Sequence, residues 1–221
     1  MFNEFILVFH SILISLFVVI ALKNGKEALI ALVCIQAVLS NLFVTKQIII
    51  FGLCATCSDA FSIGSGISLN LLQEYYGKNT ANKTIWLSFF ILIFYLLMTQ
   101  IHLLYLPSLF DLTQSHYYEI LKTGPRIIIV SLISYFISQK IDVYTYGFLR
   151  NKFAGKFFLI RNYGSLLLSQ LFDTLFFSFF GLFGLVQNVW QIFIISYIIK
   201  IFTIIIAVPI VTILKRLIRT N

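Results

Sequence analysis

The sequence predicts an all-α fold, a polytopic transmembrane bundle of about seven spans (six as the nearest alternative), with the amino terminus outside and the carboxyl terminus cytoplasmic. Three observations carry that reading: composition, span length and the side on which the basic residues fall. Of the 221 residues, 60% are hydrophobic and 11% charged, and the mean hydropathy is +0.97. Soluble globular chains are about 45–50% apolar and about 25% charged. Such a composition excludes a soluble domain, and the low charge excludes disorder. The 11 Gly and 3 Pro exclude a collagen-like fibre. Residues 1–221 therefore read as a single integral membrane domain.

A helix needs about 20 apolar residues to cross roughly 30 Å of hydrocarbon, where unpaired backbone groups are too costly to leave. The first stretch, Phe5 to Leu22, follows Glu4 rather than a basic leader, and no small-x-small cleavage site follows it, so it reads as a retained helix with no targeting peptide. Ala28 to Val44 and Ile48 to Leu72 come next. The third carries Cys54 and Cys57, a C-x-x-C with no second pair and no nearby His; with Cys34 these read as small buried thiols, not a zinc or redox site. Ile85 to Leu106 is the fourth span, and the connection from Pro107 to Pro125, with Tyr117 and Tyr118, reads as an interfacial helix. Arg126 to Leu149, Tyr163 to Val186 and Gln191 to Leu214 complete the set.

The net charge of +8 would suggest nucleic acid in a soluble chain. Here its placement decides instead. Eleven Lys and Arg fall in the first, third and fifth loops and the tail, against three, Lys46, Lys122 and Arg126, on the alternate side. Cytoplasmic loops collect basic residues, so the asymmetry supports seven spans and the stated orientation. The expected surroundings are a plasma (cell inner) membrane and its lipid bilayer, with no nucleic-acid partner. Self-association into a homo-oligomer stays open.

Carboxylates inside spans are rare because each costs several kcal/mol unless paired or wet. Asp59, Asp142 and Asp173 qualify. Each belongs to a polar stripe at helical spacing: Asp59, Ser62, Gly66, Asn70, Gln73 and Gly77; Ser131, Ser134, Ser138, Asp142 and Thr145; Asn162, Ser165, Ser169 and Asp173. Small polar residues alone would read as helix-packing seams. An acid is a costly way to make a packing contact, so the alternatives are buried ion pairs with Lys140 or Lys200, or a wet cavity shared by the third, fifth and sixth spans. The histidines His10, His102 and His116 lack metal spacing, and no G-x-S-x-G or phosphate-binding loop is present, so neither metal nor cofactor is expected. Gln36, Asn41, Gln100 and His102 could line a pocket or face neighbouring helices.

The chain resembles the queuosine precursor transporter family, also called the vitamin uptake transporter family. The match lies in NLLQEYYGK from Asn70 to Lys78, Arg126, SQKIDVYTYGFLR from Ser138 to Arg150 and RNYGSLLLSQLFDTLFF from Arg161 to Phe177. The resemblance implies that Glu74, Gly77, Arg126, Gln139, Asp142, Arg161, Asn162, Gln170 and Asp173 are characteristic polar positions, with Asn70 standing where many relatives have Asp. It further implies a non-enzymatic importer of 7-deazaguanines such as queuine, preQ0 or preQ1. Asp59, Asn70, Glu74, Arg126, Gln139, Asp142, Asn162, Gln170 and Asp173 are then the expected substrate-binding set, one acid clamping the purine edge and another meeting an amine or a coupling proton. A substrate-binding subunit of an energy-coupling-factor transporter, or an intramembrane enzyme using Asp142 and Asp173 as acid and base, are the other classes considered.

Overall fold

The computed structural model describes residues 2–44, 46–56, 58–122, 125–184 and 188–218. Seven long helices alternate in direction: α1 (Phe2–Asn24), α2 (Lys26–Phe43), α3 (Asp59–Tyr76), α4 (Lys78–His102), α6 (Pro125–Lys152), α7 (Phe158–Phe176) and α8 (Val189–Ile218). A short exposed helix, α5 (Gln114–Leu121), lies in the connection before α6, as the tyrosine-rich segment suggested. At its approach Asp111 accepts from the Thr113 amide and hydroxyl, both at 2.7 Å, and these donors hold its carboxyl below the usual carboxylate range.

Among the described residues, six helices are long and apolar enough to cross a membrane: α1, α2, α4, α6, α7 with its extension, and α8. The expected third span, Ile48 to Leu72, is not one helix. Its first part is an antiparallel hairpin, β1 (Gln47–Ile50) with β2 (Leu53–Thr56), and α3 begins only at Asp59. Gln47-Ile-Ile-Ile is β-branched and extended, and Phe51 and Gly52 turn the chain at φ 51° and 75°, the positive pair that a tight two-residue hairpin requires. The hairpin is tied to the start of α1: Asn3 Nδ2 donates to the Ile49 carbonyl (2.8 Å), and the Phe51 amide donates to Glu4 Oε1 (2.7 Å). Cys57 lies outside the described residues; Cys34 is a buried free thiol.

What remains of the third span is the axis of the bundle. α3 touches α1, α2, α4, α6, α7 and α8, and its residues from Ile63 to Gln73 are all buried. Because other helices screen it from lipid, α3 can be polar. At 18 residues it is about 27 Å long. Gly64 sets its approach to α1 and α2: a Cβ there would stand 2.6 Å from Gln36 Oε1 and collide with the Ile14 side chain. Gly64→Val is expected to lower stability by about 1–3 kcal/mol through overpacking. Thermal aggregation of the detergent-solubilised protein would measure this, and an unshifted midpoint would mean that α1 and α2 can move aside.

The helix alternation gives the bundle two distinct ends. Lys23, Lys26, Lys78, Arg150, Lys152 and Lys156 fall at one, the basic end, with the hairpin and the start of α1 at the other. At the hairpin end of the bundle, α7 passes without a break into a π-helical turn, Phe177–Gly181. Such turns recur at functional sites, because the extra residue re-aims neighbouring side chains.

Candidate functional site

The three polar stripes face one another along the seam of α3, α6 and α7, and hydrogen bonds join them at three levels. Nearest the hairpin end is a cavity of about 90 Å³ between α2, α3, α6, α7 and α8, room for several waters. Asp59, the first residue of α3, lines it, as do Asp173 and Lys200. Lys200 Nζ donates to Asp173 Oδ2 at 2.7 Å, and Ser134 Oγ donates to Asp173 Oδ1 at 2.7 Å. Asp59 is 4% exposed, and its Oδ2 has no hydrogen-bond partner among the described residues. Asp173 is the wetter acid, its side chain 22% exposed. The hydroxyls of Ser40 and Ser62 meet at 2.9 Å, and Ser131 Oγ donates to Asn41 Oδ1 at 2.7 Å, so this level is polar on the α2 side as well. Tyr135 and Phe177 add ring faces to the wall.

The second level is dry. Asp142 lies against α3 at Gly66, where a Cβ would be 3.6 Å from its Oδ2. Around it Asn70 Nδ2 donates to Asn162 Oδ1 (3.1 Å) and to Ser165 Oγ (3.0 Å). Gln139, Asn162 and Gln170 are all buried in the same half of the seam. The third level closes the basic end. Glu74 accepts from Arg161 Nη1 (2.8 Å) and Nη2 (3.1 Å) and from the Tyr146 hydroxyl (2.9 Å). Arg150 Nε approaches the same carboxylate at 3.3 Å, while its terminal nitrogens bond the Gln73 and Glu74 carbonyls. Arg161 is completely buried and also donates to the Gly155 carbonyl, so one side chain joins α3, α7 and the α6–α7 connection.

The expected convergence of all three acids on one hollow is therefore only partly present. Asp59 and Asp173 share the cavity with Lys200; Asp142 stands eight residues along α6 from Ser134, on the order of 12 Å. Among the described residues Lys140 pairs with no acid, and it donates to Asn82 Oδ1 at 2.9 Å. Arg126 is exposed and its Nε donates to the Phe180 carbonyl at 2.8 Å, bracing the π-helical turn after α7 from outside the cavity. Glu74 is in the ionic cluster, Asn70 and Asn162 bond each other, and Gln139 and Gln170 lie buried off the cavity wall. Of the ambiguous polar residues, Asn41 lines the cavity and Gln36 packs against Gly64, whereas Gln100 bonds the Leu121 carbonyl and His102 meets Tyr105 and Tyr117 edge-on. Ser40, Thr56, Tyr135, Ser196 and Phe177 are cavity residues that stripe counting passed over. Ser196 and Lys200, four apart on the largely apolar first half of α8, were the available signal.

A polytopic bundle with an ionic cavity roofed by a broken span and closed at the far end by a buried charge cluster is the build of a membrane transporter. The chain belongs to the family described as "Putative vitamin uptake transporter", whose model matches residues 56–214. It is also 33% identical over 224 aligned positions, 99% of this chain and 97% of the relative, to the "Probable queuosine precursor transporter" of Bacillus subtilis (strain 168). No solved structure matches it. The protein is thus a multi-pass transporter of the plasma membrane, as the resemblance in its polar motifs implied.

Proposed function

We propose that the protein imports 7-deazaguanine precursors of queuosine, with its basic end in the cytoplasm and its substrate held in the cavity of Asp59, Asp173 and Lys200. The single observation that carries this is the pairing, in one small wet cavity, of a carboxylate oxygen lacking a donor with a second carboxylate and an ammonium. A 7-deazaguanine offers adjacent N–H donors on its pyrimidine edge, which one carboxylate can accept together, and a carbonyl O6, which needs a donor. Asp59 serves the edge and Lys200 the carbonyl. Asp173 receives the cationic amine of preQ1 or queuine in place of Lys200, and Tyr135 or Phe177 supplies a face for stacking. The same reading gives Glu74, Arg150 and Arg161 the role of a cytoplasmic closure.

The name and the near full-length similarity of the Bacillus relative support the substrate class. The test is expression of this chain in a cell unable to take up queuosine precursors, with queuosine in its tRNA as the readout. Restoration from external queuine is expected. Restoration from preQ0 or preQ1 alone would move the substrate choice, and failure with all three would end this reading.

A further inference from the structure

Asp142 presents a problem that the cavity does not solve. It is 1% exposed, and neither carboxylate oxygen has a hydrogen-bond partner among the described residues. Asn70 and Ser165 are the hydrogen-bonding side chains beside it, and their well-formed bonds go to other partners. Asn162 Nδ2 donates to the Phe158 carbonyl (3.0 Å), which turns its Oδ1 toward Asn70 and holds the Asn70 amide nitrogen on that side. The Ser165 hydroxyl is directed at the Asn162 carbonyl (3.4 Å). Two buried amide oxygens nearby have no donor among the described residues: Asn70 Oδ1, and Gln139 Oε1 one helical turn earlier on α6.

Among the described residues, no cation pairs with it. On α6 itself, Lys140 bonds Asn82 and Arg150 is held by Glu74. From α7, Arg161 is spent on Glu74 and Gly155, and Asp173 on Lys200 of α8. From α3, Asp59 faces the cavity and Glu74 its arginines. From α4, Lys78 lies over the Tyr144 ring and Lys83 is exposed. Tyr146, one turn further along α6, gives its hydroxyl proton to Glu74. A carboxylate without a counter-ion is among the costliest groups to bury, whereas a neutral carboxylic acid offers a donor to those free amide oxygens.

We propose that Asp142 is a proton-binding site, occupied in this closed conformation, and that its proton is the one coupled to transport. The assignment rests on the transport reading above and separates two tasks: the cavity holds the substrate, and a dry carboxyl on the order of 12 Å further along α6 carries the proton. The proton bonds Asn70 Oδ1 or Gln139 Oε1 while the bundle is closed. It leaves as hydronium when parting of the Glu74–Arg161 closure lets water reach the carboxyl from the basic end.

The experiment uses the full chain in liposomes and two readouts. Infrared difference spectra of wild type against Asp142→Asn at neutral pH are expected to show a protonated-carboxyl carbonyl band that the variant lacks. With labelled queuine as the probe, D142N is expected to keep counterflow within about twofold of wild type while its accumulation under an inward proton gradient falls to equilibration. Identical carbonyl regions in the two spectra would overturn the proposal, as would full gradient-driven accumulation by D142N, or wild-type accumulation that follows sodium instead. Asparagine is neutral and close in shape to the protonated acid, so a D142N chain that cannot fold would also count against it. Absence of queuine counterflow in wild type would strike the substrate reading alone, and the carbonyl band would still decide whether Asp142 holds a proton.

Discussion

Glu74→Ala is expected to cost about 3–5 kcal/mol, because it strands a completely buried guanidinium without its anion. Arg161 would keep the Gly155 carbonyl and the Tyr146 and Phe158 ring faces but no anion, the Tyr146 hydroxyl would lose its acceptor, and Arg150 would lose its ion pair while still bonding the last carbonyls of α3. The cluster joins α3, α6 and α7 at one end, so its loss should loosen all three together. A sharply lowered yield of monodisperse protein and a lower thermal midpoint would register this. Glu74→Gln, which retains hydrogen-bond acceptance without the charge, should fall between the two. Wild-type stability in the alanine variant would show that the basic end is held by packing alone.

Asp173→Asn and Asp59→Asn are each expected to reduce queuine uptake roughly ten- to a hundredfold, since a charge-assisted hydrogen bond contributes about 1.5–3 kcal/mol and each 1.4 kcal/mol is a factor of ten. Asp173→Asn alone would confound folding with function, because it leaves Lys200 buried beside a neutral amide. The informative comparison is Asp173→Leu with Lys200→Met. Replacing both members of a buried pair by apolar groups of similar volume is often neutral or stabilising. That double variant should therefore insert and fold like wild type yet take up no queuine. Wild-type uptake by a well-folded double variant would reduce the Asp173–Lys200 bridge to a structural contact and withdraw the cavity as the substrate site.

Much of the bundle was legible in the residues, for reasons that differ from element to element. α1, α4 and α8 announce themselves because lipid tolerates little but a long apolar helix, so span length and hydropathy suffice. The stripes through Ser134, Asp142, Ser165 and Asp173 were visible because a helix repeats every 3.6 residues whatever its surroundings. The third span misled because it is apolar over Ile48 to Ile50 and polar after Asp59, which hydropathy averages into one helix. The pairing of Gln47–Ile50 with Leu53–Thr56 is a contact between segments. It also depends on α1, whose Asn3 and Glu4 bond the hairpin tip from 46 and 47 residues away.

The candidate site divides along the same line. That Asp59, Asp142 and Asp173 carry function rather than packing was arguable from the cost of an acid in hydrocarbon. Which of them meet was not, because a stripe defines a face and leaves open the rotation and axial offset of the helix opposite. Residue chemistry alone was enough for the class of the protein, for six of its crossing helices and for the residues whose burial demands a reason, since these follow from the free energy of moving each side chain out of water. It took the packed bundle to bring Lys200 to Asp173, to close Arg161 on Glu74 and to leave both Asp142 oxygens without a hydrogen bond among the described residues. Each of these is a distance between helices far apart in the chain, and such distances are set by how all the side chains pack together rather than by any local preference.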